Sequence, residues 1–82
     1  MDALDGNAIG GLLLEVFGAE LTTATGVCAS CGSRGPVAET AVYLRAPGAV
    51  VRCRSCDSVL MVLVEVHEVW SVDLSGLAAL DL

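Results

Sequence analysis

The chain contains no lysine, a single histidine and only three aromatic residues, and each scarcity closes off a class of function. Its whole basic complement is Arg34, Arg45, Arg52 and Arg54, set against ten acidic residues, so the formal net charge is −6. A surface of that balance repels phosphate backbones rather than gathering them. Phe17, Tyr43 and Trp70 are too few to form a base-stacking platform. Nucleic-acid binding is therefore the weaker reading. His67 stands in "HEVW", which is not the HExxH of a zinc protease, and a solvated strand end is the simpler role for it. No phosphate-binding loop, nucleophile elbow or serine–histidine–acid set occurs, so no catalysis is expected. Long apolar runs are missing too. The longest, "VLMVLV" from Val59 to Val64, falls far short of the roughly 20 residues of a spanning helix. The first residues, "MDALDG", lack the basic lead of a secretory signal. The expectation is a cytoplasmic protein, where thiols stay reduced and paired cysteines bind metal more often than they form disulfides.

What the chain does have is apolar residues, 55% of its 82, and four cysteines in two pairs. A chain this short makes one domain, 1–82, and a single core of that size usually needs a further staple. The pairs supply one. "GVCASCGSRGP" contains Cys28-x2-Cys31, and "VRCRSCDSV" contains Cys53-x2-Cys56, about twenty residues further on. This spacing suits a tetrahedral zinc ion, since each tight Cys-x-x-Cys turn brings two sulfurs to one metal. A residue that tolerates a left-handed backbone should follow each second cysteine. Gly32 meets that need, and Asp57 meets it less well. Four thiolates around one Zn2+ carry two surplus negative charges, which Arg34, Arg52 and Arg54 are placed to offset. With all four positions filled by protein, such a site is structural. The rival occupants are a rubredoxin-like iron, disfavoured by the few aromatics, and a disulfide or thiol redox pair, disfavoured by the duplicated motif and the lack of a βαβ pattern.

The remaining pattern predicts a small α+β fold, with an N-terminal helix followed by an antiparallel sheet of four to five strands. Asp5 to Phe17 reads as the helix, with Ile9, Leu13 and Phe17 on one stripe, Asp2 or Asp5 as cap and Gly18 as stop. Strands are expected at Leu21 to Val27, Val37 to Arg45, Val50 to Cys53 and Val59 to Val66, with another at Val69 to Val72. Pro47-Gly48 suits a type II turn. These elements divide the domain into a helix at 1–19, a zinc-ribbon sheet at 20–73 and a short helix or tail at 74–82. Trp70 is assigned to packing, and Glu65, Glu68 and Asp73 to a solvated strand edge.

Two hairpins that each present a Cys-x-x-Cys knuckle resemble a zinc ribbon. Nearly the whole chain resembles small actinobacterial zinc-ribbon proteins of unknown function, from "LDGNAIGGLLLEVFGAELTTATGVCASCG" through "VYLRAPGAVVRCRSC" to "LMVLVEV". The resemblance implies Cys28, Cys31, Cys53 and Cys56 as metal ligands and implies no activity. The absence of lysine fits a GC-rich genome. The function expected is that of a protein-interaction module or subunit. Self-association is expected as well, because Leu60, Val62 and Val64 make one face of the best strand apolar while Val59, Met61 and Leu63 do the same for the other. One short helix cannot cover both faces, and a two-fold homodimer is the commonest remedy.

Overall fold

The longest β-branched run in the sequence is also the strand on which the larger sheet is built. The computed structural model describes residues 4–45 and 47–81. Strand β6 spans Val59–Val66, with the bounds its composition predicts. On one side it pairs with β5, Gly48–Arg52, and on the other with β7, Val69–Asp73. Strand β5 pairs with β4, Ala41–Arg45, which in turn pairs with the two-residue β1, Leu4–Asp5. All pairings are antiparallel, in the order β1-β4-β5-β6-β7. A second, three-stranded sheet has β2, Thr25–Cys28, at its centre, between β3, Arg34–Pro36, and β8, Leu77–Asp81.

Side chains alternate between the two faces of a strand, so register decides what is buried. Val42, Val51 and Met61 lie in one cross-strand row, and Ala49 and Leu63 lie in the next row of the same face. All five are buried, in one cluster with Ile9 and Leu13. Leu13 and Leu63 are fully inaccessible. On the opposite face of the sheet, Tyr43, Val50, Val62 and Val64 are only half-buried.

Several elements depart from the sequence expectation, each for a local reason. The N-terminal helix comes in two parts, a 3-10 turn at Gly6–Ile9 and an α-helix, α1, at Gly10–Phe17. Ile9 takes φ −112° and ψ 15° where one gives way to the other. Asp5 caps the first part by accepting from the Asn7 N–H at 3.0 Å; Asp2 lies outside the described residues. Gly18 ends the helix as expected, with φ 70° and its N–H donating to the Leu14 carbonyl. Phe17, the last helical residue, is exposed, so the buried stripe reduces to Ile9 and Leu13.

Strand β2 begins only at Thr25, because residues before it form a turn closed by the Ala24 N–H on Leu21 O. Val37–Glu39 is a 3-10 turn rather than the start of a strand. Its amides are taken by chain segments outside the sheet: Val37 N–H donates to Ala24 O, and Ala38 N–H to Thr22 O. The Pro47-Gly48 turn is also revised. Gly48 sits in β5 opposite Arg45 without a left-handed φ; Ala46 lies outside the described residues. Strand β5 correspondingly starts at Gly48 and ends at Arg52. His67 and Glu68 form the two-residue β6–β7 turn, with φ of 51° and 65°. Both are exposed there, as are Glu65 and Asp73, while Trp70 is half-buried against the core.

The largest correction concerns the C-terminus. The segment read as a short helix or tail is β8, and the single sheet of four to five strands becomes two sheets of five and three. Strand β2 has a free edge once β3 has paired with it, and β8 fills that edge through Thr25↔Asp81, Gly26↔Leu80 and Val27↔Ala79.

Candidate metal centre

Each cysteine pair closes a β-hairpin, and the two hairpins are built alike. The β2–β3 connection carries Cys28 and Cys31; the β5–β6 connection carries Cys53 and Cys56. In the first, Cys28 N–H donates to Ser33 O at 2.9 Å and Gly32 N–H returns to Cys28 O at 3.0 Å. In the second, Cys53 N–H donates to Ser58 O at 2.9 Å and Asp57 N–H returns to Cys53 O at 2.9 Å. Gly32 has φ 76° and Asp57 has φ 62°, so both residues occupy the left-handed region that the turn demands.

The hairpins bring all four sulfurs within 4.8 Å of one another. Cys28 Sγ lies 3.7 Å from Cys56 Sγ, and Cys31 Sγ lies 3.7 Å from Cys53 Sγ. None of the four is in a disulfide. A tetrahedron of thiolates at about 2.3 Å from a central ion has edges of about 3.8 Å, so the spacing is that of a four-sulfur metal site. Cys28 and Cys53 are buried while Cys31 and Cys56 are exposed, which sets the cluster half into the core and half at the surface.

Each second cysteine is prepared as an anion by its own hairpin. The Ser33 hydroxyl and then its N–H hold the Cys31 thiol down to about 6. The Ser58 hydroxyl and N–H lower Cys56 in the same way. At Cys28 the Cys31 N–H also acts downward, yet burial and the neighbouring Cys56 and Cys31 sulfurs leave the thiol above its ordinary value. Thiolates this close repel one another, and a cation among them removes that penalty. The four cysteines could therefore hold a metal ion, as their spacing in the sequence predicts.

Cysteine spacing alone does not single out Ser33 and Ser58. A signal for them is nevertheless present: "CASCGS" and "CRSCDS" carry serine at the same place. A second contributor is invisible in the sequence. The turn between β7 and β8, built on Asp73 accepting from Ser75 N–H at 2.8 Å, delivers Gly76 O to the Ala29 N–H of the first hairpin at 2.9 Å. A Cβ on Gly76 would lie 1.8 Å from Val59 O, at the end of the second hairpin. The C-terminal turn thus wedges between the two halves of the site.

Two of the three flanking arginines have structural duties. Arg52 donates to Asp57 O at 2.9 Å, approaches the Asp57 carboxylate at 3.8 Å and lies over the Tyr43 ring at 6.0 Å. Arg54 donates to Glu39 O at 2.9 Å and Leu4 O at 3.3 Å, tying the second hairpin to the 3-10 turn and β1. Arg34 is exposed at the rim of a cavity of about 450 Å³ beside Cys28 and Cys53, floored by Val37, Leu60, Met61 and Leu77.

The left-handed turn at Asp57 yields a direct test. Asp57→Gly relaxes that backbone and loses only an exposed ion pair, so stability should stay within about 1 kcal/mol. Asp57→Val should cost about 1–2 kcal/mol. Thermal melts of the metal-loaded variants distinguish the two; equal losses would show that the ion pair, not the backbone, matters at this position.

The chain belongs to a family of unknown function, DUF6510, whose model matches residues 1–82. No curated protein and no solved structure matches it.

Proposed function

We propose that this member of the DUF6510 family is a cytoplasmic zinc-ribbon protein without catalytic activity. One Zn2+ on Cys28, Cys31, Cys53 and Cys56 stabilises the fold, and the sheet acts as a protein-interaction module. The observation that carries this reading is the set of four sulfurs within 4.8 Å of one another, in two pairs 3.7 Å apart. Four protein ligands leave no position for a substrate or an activated water. The rest of the chain gives catalysis little to work with. Besides the ligands Cys28 and Cys53, the titratable groups around the cavity are the exposed Asp5, Arg34, Glu39 and Arg54. Among the described residues, no buried side-chain polar atom lacks a partner. No helix among them is long and apolar enough to cross a membrane. Nucleic-acid binding, the second reading, is disfavoured by the charge balance and by the engagement of Arg52 and Arg54 with backbone carbonyls.

Elemental analysis of the protein purified from its host tests the metal assignment. One zinc per chain in a colourless sample is expected. A red sample holding stoichiometric iron would replace the structural-zinc reading with an electron carrier. Tight binding of labelled single- or double-stranded DNA or RNA in low salt would favour the nucleic-acid reading instead.

A further inference from the structure

Resting on the interaction-module reading, the partner can be specified from the uncovered face of the five-stranded sheet. Register places Tyr43, Val50, Val62 and Asp73 in one row across this face, and Arg45, Gly48, Val64 and Ser71 in the next. Val66 and Val69 extend it along β6 and β7. The position of Arg52 over the Tyr43 ring agrees with this assignment of faces. Tyr43, Val50, Val62 and Val64 stay half-buried despite lying within the sheet, and Val66 and Val69 are 51% and 66% exposed. An antiparallel sheet with one face in water normally keeps that face polar. This one is valine-rich, basic at the β4 side through Arg45 and acidic at the β7 side through Asp73.

We propose that a second copy of the chain covers this face, related by a two-fold axis that runs parallel to the strands between β5 and β6. Such an axis lays β4 of one copy over β7 of the other, and β5 over β6. Val50 then meets Val62 of the second copy, in the row that also holds Tyr43 and Asp73. The Arg45 guanidinium and the Tyr43 hydroxyl come to the edge that holds Asp73 of the second copy, and symmetry makes the arrangement twice. A two-fold axis perpendicular to the strands would instead lay β4 over β4 and β7 over β7, stacking like charges at both edges. Charge complementarity therefore selects the first arrangement over the second. Sheets packed face to face lie about 10 Å apart with their strands near 30°, a separation that arginine and aspartate side chains can bridge. Four strands about 4.8 Å apart make a small patch, of the size that goes with weak or transient association.

Sedimentation equilibrium of the zinc-loaded full chain, from micromolar to sub-millimolar, tests the proposal. The wild type should be a dimer at the upper end. Val62→Lys should be monomeric throughout while keeping its zinc and its circular dichroism. Asp73→Asn keeps the oxygen that accepts from Ser75 and removes the charge; it should weaken the dimer about fivefold, with little further effect in an Arg45→Ala, Tyr43→Phe background. Should Val62→Lys fail to fold, the Asp73 and Arg45 variants at the sheet edges decide whether this face is the interface. A zinc-loaded wild type that stays monomeric overturns the dimer but leaves the structural-zinc reading standing. A dimer indifferent to Val62→Lys and Asp73→Asn overturns the assignment of this face. A chain that folds without metal overturns the structural-zinc reading whatever its mass.

Discussion

Replacing Cys53 with alanine should leave the chain largely unfolded at neutral pH. Cys53 is one of the two buried ligands, and its loss opens the metal site from the core side. A structural zinc contributes on the order of 10 kcal/mol, as much as the whole net stability of a typical small domain. The surviving core is thin for that burden: its largest fully buried side chains are Ile9, Leu13, Leu63, Val42 and Val51. Circular dichroism and amide-proton dispersion should both report a disordered chain, and excess chelator should do the same to the wild type. Acid should release the metal by protonating the thiolates. A lowered thiol pKa contributes stability above the unfolded value, and that contribution disappears as pH falls through the folded value. Without metal the folded value for Cys31 is about 6, and a cation bound to the thiolate keeps it ionised to lower pH still. A native spectrum for Cys53→Ala would count decisively against a structural metal.

The second large effect is expected at Gly76, far from the cysteines in sequence. Gly76→Val must push the β7–β8 turn away from Val59, because even a Cβ would stand 1.8 Å from the Val59 carbonyl oxygen and 2.7 Å from Leu60 Cα. Both obstacles are backbone, so neither can rotate aside. The turn then loses the Gly76 O contact to Ala29 N–H, and β8 loses its anchor beside the first cysteine hairpin. A loss of about 3 kcal/mol or more is expected, seen as a fall in melting temperature of about 15 °C or more. Hydrogen exchange should show protection lost first along β8 and β2. Gly11→Ala provides the contrast. Nothing lies within 4 Å of its added Cβ, and helix propensity favours alanine by about 1 kcal/mol, so stability should rise. If the two variants melt alike, the C-terminal turn is not a wedge.

Most of the candidate site was legible in the sequence because its determinants are local. Two sulfurs in one Cys-x-x-Cys turn need only that turn, and the left-handed residue after each second cysteine is a nearest-neighbour requirement. The paired serines are equally local and are readable by laying one hairpin on the other. The β6 bounds were legible for the same kind of reason, since an unbroken β-branched run has few other conformations open to it. At the β6–β7 turn, His67-Glu68 shows what local chemistry leaves out. His67 tolerates a left-handed φ better than most residues but Glu68 does not, and the turn forms because Val66 and Val69 on either side are held in register.

The sequence by itself determined that four cysteines would meet, which strand would be strongest, where the helix would stop and which charge the surface would carry. The first follows from two like cysteine pairs in one short chain, and the others from residues within a few positions of one another or from composition alone. Only the tertiary structure decided the rest. Val37 leaves the strand pattern because its N–H and that of Ala38 find acceptors on Ala24 and Thr22. "LAALD" becomes a strand although alanine and leucine carry no strong β preference, because pairing with β3 leaves β2 one free edge and the Gly76 wedge brings the C-terminal segment to it. Whether a valine such as Val62 faces core or solvent likewise depends on register with β5 and β7, and register is set by contacts between segments that no local stretch of sequence contains.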